Sequence, residues 1–528
     1  MTEHDREREP LDESQEFEDP SPLADDEEPR EHRPAPEELA VEATAEETGD
    51  IASDVTLTDR EAAANAAAET TRRVERRDVV RWSARALAGI AAAALGVGAV
   101  LGANAIPEDV RLATDAPTTV VQPASALQSR VCAGPALRLG TDDGQNALAV
   151  ASIADPSLEV GSLGGVVEQR TLSVLDAEGV EGGEAISQRN EPSTLSAAQS
   201  LDLDMDAARG FAASECAETS LDQWLVGGST RTGRQSALTI ANASDVGASV
   251  DVTVYGPEGP IDTVGSTGLS VPAGTEVALD LAAIAPGVAD AVVHVASTGA
   301  PVTAHLQQVT TRGLERGGVE VIDPVAALTS AVLPGVTVTE PTGLETQEGY
   351  DDTVPVLRLL SPSGGDVRVA FQSADGTTTE STGTLEAGLV TDFPLEELPV
   401  GTLAIRIESD APIVAGARTV AISGEGIDFD WVAGGQARSG TSSIAVPEGP
   451  GATVHLVSTH DEDQEITIGG ETAQLPANGV LARDVDSGAF EVTGEGLVIG
   501  VEYRDDSHVG SFTASPQGPA AQGVLVVH

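Results

Sequence analysis

The sequence contains no lysine, few aromatic residues and only two cysteines. All 28 basic residues are arginines, against 85 acidic residues, and the formal net charge is -57. A surface this acidic repels phosphate groups, so we expect no nucleic-acid partner. Aromatic residues make up 2% of the chain, which excludes extended stacking surfaces for bases or sugars. The cores must therefore be filled with Val, Leu, Ile and Ala.

The N-terminal part changes character at Thr58. Residues 1–57 combine many charges with several prolines and cannot bury enough apolar surface to fold, so we predict a disordered acidic cytoplasmic tail. Residues 58–85 are rich in helix formers, and Thr58 and Glu61 have the spacing of a helix-capping box. We predict a basic juxtamembrane helix over 58–85.

The stretch "ALAGIAAAALGVGAVLGA", residues 86–103, has no charge and follows a cluster of arginines. Its length is near the lower limit for crossing a hydrocarbon core of about 30 Å. Arginines on the N-terminal side favour a cytoplasmic location for that side. We predict a transmembrane signal anchor over residues 86–106, with the N-terminus in the cytoplasm and the C-terminus outside, in the cell membrane as a single pass.

A cleaved signal peptide is the alternative interpretation of the same segment. Ala103-Asn104-Ala105 has the small residues of a cleavage site, and the cut would follow Ala105. About 80 residues precede the apolar stretch, far more than a conventional signal peptide carries. This length favours the uncleaved anchor.

The exported part begins with a linker over residues 107–127 and continues with an N-terminal module over residues 128–226. This module holds both cysteines, Cys132 and Cys216. Export brings the thiols into an oxidising compartment, so we predict one disulfide, which would contribute roughly 4 kcal/mol by loop closure. Two free thiols or a catalytic cysteine remain the alternatives, but no histidine lies between residues 33 and 293.

From Gly227 onward the sequence indicates a mainly β fold. Alternating runs such as "ASVDVTVYG", "GDVRVAFQS" and "ATVHLVST" are bounded by Gly, Pro, Asp and Ser. The runs recur in three copies, each with a Pro-Ala or Glu-Ala turn and a final pair of strands joined at "STGAP", "SDAP" or "GEG". We predict tandem β-sandwich-like modules of about seven strands. Their ranges are 227–340 (β-module 1), 341–440 (β-module 2) and 441–528 (β-module 3).

Two of the three tryptophans open matching stretches, "WLVGGSTRTG" and "WVAGGQARSG", which stand 207 residues apart. We interpret each as a strand and turn that packs a tryptophan onto the next module. The glycines would supply positive φ or close backbone approach, and the arginines would pair with carboxylates. A ligand-binding role for the arginines is the alternative. The shared positions are Trp224, Gly227, Gly228, Arg231 and Gly233 in the first stretch and Trp431, Gly434, Gly435, Arg438 and Gly440 in the second.

Taken together, several features resemble an uncharacterised family of membrane-anchored envelope proteins of high-GC actinobacteria. They are the acidic tail, the arginine-flanked anchor, "VCAGP" around Cys132, "WLVGGSTRTGRQSALTIANAS" and "LSVPAGTEVALDL". The resemblance covers most of the exported part and involves a domain of unknown function. It implies a location in the cell envelope and brings no catalytic residue or ligand.

Catalytic and metal-binding motifs are scarce. His294 and His305 fall on two strands that we predict to form one hairpin, but two histidines without a third ligand make a poor zinc site. The acidic turns at 141–146, 202–206 and 460–465 could hold calcium or be solvated. We expect no catalytic residue, no metal site and no cofactor.

The sequence therefore favours a non-enzymatic, single-pass envelope protein. Its exported part would serve as a scaffold or binding module for wall polymers or other envelope proteins, through many weak contacts. A membrane-tethered hydrolase acting on cell-wall glycan or peptide is the alternative. Convergence of carboxylates, or of a histidine and a serine, in one pocket would favour the enzyme.

Overall fold

The computed structural model describes residues 118–121, 127–515 and 524–527, except for 141–145, 147–148, 165, 178, 190–194, 206–207, 264 and 425. The predicted acidic tail, juxtamembrane helix and signal anchor lie outside the described residues, as does most of the linker. Among the described residues, no helix has the length and apolar character needed to cross a membrane. All of them belong to one unit, Thr114–His528.

The described chain is mainly β, and the alternation of apolar and polar residues produces this outcome. In the strand Ala248–Gly256, Val250, Val252 and Val254 are buried, and Asp251 between them faces solvent. Successive side chains of a strand point to opposite faces, so this pattern buries one face only. The predicted mainly β fold is confirmed.

Among the residues that the structure describes, ten strands precede the first of three structural repeats. They are β1 (Thr118–Val121), β2 (Leu127–Val131), β3 (Ala136–Leu139), β4 (Val150–Ala154), β5 (Ser157–Ser162), β6 (Val167–Val174), β7 (Glu181–Arg189), β8 (Leu195–Asp204), β9 (Arg209–Glu215) and β10 (Ala217–Glu218).

The first repeat, residues 222–322, contains nine strands and one helical turn, Leu281–Ile284. The strands are β11 (Asp222–Val226), β12 (Arg234–Asn242), β13 (Ala248–Gly256), β14 (Gly259–Pro260), β15 (Leu269–Val271), β16 (Thr275–Asp280), β17 (Val292–Thr298), β18 (Thr303–Arg312) and β19 (Glu315–Ile322). The short β20 (Pro324–Val325) follows and pairs with β11.

The second and third repeats, residues 328–433 and 438–513, contain seven strands each. The second has β21 (Leu328–Val338), β22 (Val356–Leu360), β23 (Gly365–Ser373), β24 (Thr378–Leu385), β25 (Thr391–Pro394), β26 (Gly401–Ser423) and β27 (Gly426–Ala433), with 3-10 turns Leu344–Thr346 and Asp351–Thr353. The third has β28 (Arg438–Val446), β29 (Ala452–Ser458), β30 (Gln464–Ile468), β31 (Glu471–Leu475), β32 (Val480–Asp484), β33 (Gly488–Arg504) and β34 (Val509–Thr513). The last described strand is β35 (Val524–Val527), which pairs with β1.

One long strand organises each of the last two repeats. The first half of β26 pairs with β21 and β23, and its second half pairs with β22 and β27. In the third repeat β33 pairs in the same way, first with β28 and β30 and then with β29 and β34. The predicted hairpins at "SDAP" and "GEG" are therefore wrong, because each long strand continues through that position, with a shift of register there.

The first repeat has the same pairing with the long strand divided in two. β17 pairs with β11 and β13, and β18 pairs with β12 and β19. Among the described strands, β17 and β18 do not pair with each other, so the predicted hairpin at "STGAP" is also wrong. His294 and His305 consequently lie on strands with different partners and do not belong to one hairpin.

Strand pairing also crosses the predicted module boundaries. The eight-stranded sheet has the order β10-β2-β7-β6-β16-β12-β18-β19, and β6 joins β16 in parallel. It thus contains strands from both sides of residue 227. β21, which precedes residue 341, pairs with β26 of the second repeat. Hydrogen bonding therefore groups the strands differently from the divisions at residues 227 and 341.

The predicted disulfide is confirmed. Cys132 follows β2 and Cys216 follows β9, and their sulfur atoms are 2.04 Å apart across a sequence separation of 84. Both residues are buried beside Ile186, Leu195 and Ala197. The disulfide therefore links the C-terminal end of β2 to the C-terminal end of β9.

The last strands of the three repeats meet at the centre of the described body. β19 packs against β9 and β27, and β34 also packs against β9 and β27, so the four strands form a closed ring. The repeats therefore do not follow one another in an open row. Each contributes its final strand to a shared centre, and β9 supplies the fourth side.

Asp428 of β27 links all four members of this ring. Its Oδ2 accepts hydrogen bonds from the backbone N–H of Phe211 in β9 at 2.9 Å and of Val509 in β34 at 3.2 Å. Its Oδ1 accepts one from the N–H of Val319 in β19 at 3.3 Å. The side chain is 1% exposed. One carboxyl group thus satisfies three backbone donors that water cannot reach.

We predict that Asp428→Ala lowers the free energy of unfolding by at least about 3 kcal/mol, because it leaves three buried N–H groups unpaired at about 1–3 kcal/mol each. Urea titration of the full chain, followed by tryptophan fluorescence, measures the loss. Asp375→Ala is the matched control, since Asp375 accepts one backbone N–H, that of Thr377, in an exposed turn. Equal losses in the two variants would contradict the central role of Asp428.

Candidate functional site

The two tryptophan stretches occupy different places in their repeats. Trp224 lies in β11, the first strand of the first repeat, whereas Trp431 lies in β27, the last strand of the second. The segment "SSIAV" belongs to β28, whose counterpart in the first repeat is β11. It therefore does not correspond to "SALTI" in β12, although each of these segments follows a tryptophan stretch in the sequence.

The two stretches meet at the junction between the first and second repeats. Trp224 packs against Leu360 and Val414 of the second repeat, and Trp431 belongs to the apolar core of the first. A Cβ added to Gly227 would lie 3.0 Å from the Trp431 ring. Gly227 also has a φ of +139°, a conformation that favours glycine. Only glycine therefore lets the backbone of one stretch lie directly on the tryptophan of the other.

The remaining motif residues have separate surroundings. Arg231 forms an ion pair with Asp351, whereas Arg438 donates to the backbone carbonyl of Ala514. Burial lowers the pKa of Arg438 to about 10. The other glycines lie in turns or at close contacts; Gly228, Gly233 and Gly440 have positive φ, and Gly434 and Gly435 pack closely against neighbouring atoms.

A cavity of about 240 Å³ lies at the same junction. Its wall from the first repeat includes the turn after Trp224, with Arg231, and Arg234 at the start of β12. Its wall from the second repeat includes the 3-10 turn at Asp351 and the Trp431 ring. The motif residues therefore contribute to the wall of this cavity, which we take as the candidate site.

Asp352 on the cavity wall holds two buried arginines. Its Oδ2 lies 2.8 Å from Arg234 Nη2, and its Oδ1 lies 2.6 Å from Arg312 Nη2. Burial acts to raise the pKa of Asp352, but the charges of Arg312 and Arg234 and the hydrogen bond from Arg312 outweigh it and hold this pKa below its usual range. The carboxylate is therefore an ionised bridge and not a proton donor.

A second arginine network crosses the junction beside Trp431. Arg358 donates to both carboxylate oxygens of Asp392, at 2.8 and 2.7 Å, and to Asp290 at 2.6 Å. Its guanidinium carbon lies 4.7 Å from the centre of the Trp431 ring. Asp290 belongs to the first repeat and Asp392 to the second, so the ion pairs of Arg358 join the two repeats.

Arg418 contacts the same Trp431 ring as Arg358 but has no carboxylate within 4.0 Å among the described residues. It is 9% exposed, and its guanidinium carbon lies 5.5 Å from the centre of the Trp431 ring. Its Nε donates to the carbonyl of Val354 at 3.2 Å. Burial lowers the pKa of Arg418, and the nearby charge of Arg358 lowers it further.

Several buried acidic residues near the four-strand ring were not predicted from the sequence. Glu320, Asp323 and Asp430 are 8% exposed or less. Burial raises the pKa of Asp430 to about 7 and raises that of Glu320 and Asp323 well above the usual values. Their sequence signal is an acid within an apolar run, as in "GIDFDWVA" and "GVEVID". Glu320 and Asp430 belong to the ring strands β19 and β27, and Asp323 directly follows β19.

The two central histidines are separate. His294 stacks on Trp224 with ring centres 4.1 Å apart, and its Nε2 lies 2.9 Å from Asp222. Burial lowers the pKa of His305 to about 4. Within the parts of the chain that the structure describes, no group of three or more His, Cys, Asp or Glu residues could hold a metal ion.

The fold and the junction define a β-repeat protein in which three related units and an N-terminal unit close around one buried centre. Residues 176–479, more than half of the chain, match a family of unknown function, DUF5719, and the chain belongs to this family. No curated protein and no solved structure matches the chain.

Asp352→Asn should destabilise the folded chain by about 3 kcal/mol at pH 7, because Arg234 and Arg312 lose a buried partner. Asp352 has a lowered pKa in the folded state, so its contribution is present above its unfolded pKa of about 3.9 and is lost as the pH falls through its folded value. The difference between wild type and variant should therefore shrink as the pH falls below about 3.9. Urea titrations at pH 7 and at a series of lower pH values measure it.

The control for this experiment is Asp351→Asn. Asp351 pairs with Arg231, and both side chains are about half exposed, so the loss should stay below about 1 kcal/mol. A pH-independent loss in Asp352→Asn, or a loss no larger than that of the control, would show that the buried bridge does not stabilise the junction.

Proposed function

We propose that the chain is a non-enzymatic, single-pass envelope protein whose C-terminal β body lies outside the cell membrane. Residues 86–106 would form the anchor, and residues 1–57 would be a disordered tail in the cytoplasm. Each repeat would act as a β-sandwich-like module. The body would serve as a scaffold or binding module for wall polymers or other envelope proteins.

The observation that carries this proposal is the disulfide between Cys132 and Cys216. Disulfides persist in oxidising compartments and are rare in the bacterial or eukaryotic cytosol. The bonded cysteines follow the arginine-flanked apolar stretch in the sequence. The positive-inside rule assigns the side after this stretch to the exterior. Redox state and charge asymmetry therefore favour the same location.

The contacts of the charged groups favour binding over hydrolysis. The aspartates of the cavity at the junction face arginines, as Asp352 does with Arg234 and Arg312. A general acid needs a carboxyl group that holds a proton near neutral pH, and a lowered pKa has the opposite effect. Ion-paired carboxylates are suited to holding two repeats together and to orienting a charged ligand.

A serine and a histidine do contact each other in the turn before β34. However, Ser507 Oγ and the Asp505 carboxylate both lie about 3.1 Å from the same atom, His508 Nδ1. A catalytic triad needs the serine and the carboxylate on different ring nitrogens. This turn is therefore a local hydrogen-bonded structure and gives the hydrolase alternative no support.

The first test concerns location. Protease added to intact cells with permeabilised walls should degrade the β body and leave a membrane-bound N-terminal fragment, because the anchor would leave only residues beyond 106 outside. Immunoblots with antibodies to the tail and to the body follow both parts, and a cytoplasmic protein serves as control. A body that is degraded only after lysis would falsify the proposed orientation.

The second test concerns binding. Full-length protein crosslinked in living cells and purified through a tag should retain wall polymer or specific envelope proteins above the background of an untagged strain. Asp428→Ala is the comparison variant, since disruption of the ring centre should reduce the recovered material if the intact body is the binding surface. The binding role would be overturned if the tagged wild-type protein and the Asp428→Ala variant both recovered no more material than the untagged strain.

A further inference from the structure

The charges around the junction cavity do not balance. Its four wall aspartates are Asp290, Asp351, Asp352 and Asp392. Each has an arginine partner: Arg231 and Arg234 also line the cavity, whereas Arg312 and Arg358 pair with the wall aspartates without lining it. Arg418 is the fifth arginine. It adds one positive charge that no carboxylate within 4.0 Å offsets among the described residues.

Arg418 is the arginine of the cavity wall that no carboxylate pairs with at 4.0 Å or less among the described residues. The side chain is 9% exposed and lines the cavity. Its Nε donates to the carbonyl of Val354, and its guanidinium carbon lies 5.5 Å from the centre of the Trp431 ring. Within the described part of the chain, Nη1 and Nη2 have neither a hydrogen bond nor an ion pair. A largely buried charge normally has a counter-ion or a ligand, and these two Nη groups are free to bind one.

The space in front of Arg418 is large enough for such a ligand. The cavity volume of about 240 Å³ far exceeds the roughly 10–15 Å³ that one water molecule requires. Part of the wall is apolar, from Val354, Val356 and the Trp431 ring. The site thus combines one unpaired guanidinium with apolar surface, as small-molecule sites commonly do.

We propose that this cavity binds the carboxylate group of a small organic anion, with Arg418 donating from Nη1 and Nη2. The planar guanidinium fork matches the two oxygens of a carboxylate. The one unpaired arginine can neutralise a monoanion, whereas a phosphate dianion would bring a second negative charge beside the four wall aspartates. The proposal deepens the proposed binding function by naming the chemical class of a ligand, and it rests on that function only for its biological setting.

The test is a titration of the purified full-length chain, followed by tryptophan fluorescence and thermal unfolding. The probes are acetate, glucuronate and an acetylated dipeptide with a free C-terminus, which represent a free acid, a sugar acid and a peptide end. Each has a neutral partner: acetamide, glucose and the amidated dipeptide. Inorganic phosphate is the dianion. We expect saturable binding of at least one carboxylate and no response to its neutral partner.

Arg418→Gln should weaken carboxylate binding about 10- to 100-fold, because a charge-assisted hydrogen bond is lost. Arg418→Lys retains the charge without the fork and should fall between wild type and Arg418→Gln. The matched control is Arg368→Gln, since Arg368 is half exposed and pairs with Glu380 and Glu408 far from the cavity wall. The control should bind as wild type does.

Three outcomes would overturn the site. They are the absence of saturable binding of any carboxylate by wild type, equal binding by the neutral partners, and unchanged affinity in a folded Arg418→Gln. If that variant does not fold, the wild-type titration against the neutral partners still decides. Carboxylate binding together with a failed crosslinking experiment would retain the site and reject the envelope role. If the crosslinking experiment succeeds and no carboxylate binds, the site alone is rejected.

Discussion

The described body depends on one buried carboxyl group at the point where four strands converge. Asp428 accepts hydrogen bonds from β9, β19 and β34 while it belongs to β27. Burial raises the pKa of Asp428 well above its usual value, although the three backbone hydrogen bonds act in the opposite direction. An apolar residue here would leave the donors unpaired, and a larger one would separate the strands. The ring therefore needs a short side chain that can accept several bonds.

Because of this shared centre, the three repeats are not independent modules. A row of independent modules would allow each to fold and act alone. Here each repeat supplies a strand to a common core. In addition, a tryptophan of each of the first two repeats packs among apolar residues of the other, and the ion pairs of Arg358 join the same two repeats. The junction cavity exists because two repeats are held at a fixed distance. Binding there would depend on both repeats being in place.

Local features of the structure could be predicted from the sequence. The run "ASVDVTVYG" is the strand Ala248–Gly256, because valines every second residue bury one face. The presence of a single pair of cysteines indicated the disulfide. The signals for the hairpins were misleading, since "SDAP" and "GEG" contain turn residues but lie within continuous strands. The turn residues instead mark the places where the pairing of each long strand shifts register and its partner strands change.

The candidate site was only partly predictable for a related reason. The matching stretches identified Arg231 and Trp431, but their partners lie far away in the sequence. Asp351 is 120 residues beyond Arg231, and nothing local distinguishes it among 85 acidic residues. No sequence pattern distinguished Arg418, because its distinguishing feature is that no carboxylate pairs with it among the described residues. Such a property appears only when the surrounding charges are placed in space.

The long strands β26 and β33 have a consequence for how the family can vary. Each of these strands pairs with one set of strands along its first half and with another set along its second half. Its side chains alternate between two faces. An insertion or deletion of one residue inside such a strand would reverse the inward and outward positions of every residue beyond it. Evolutionary changes of length should therefore accumulate in the turns, and the lengths of these two strands should be inherited almost unchanged.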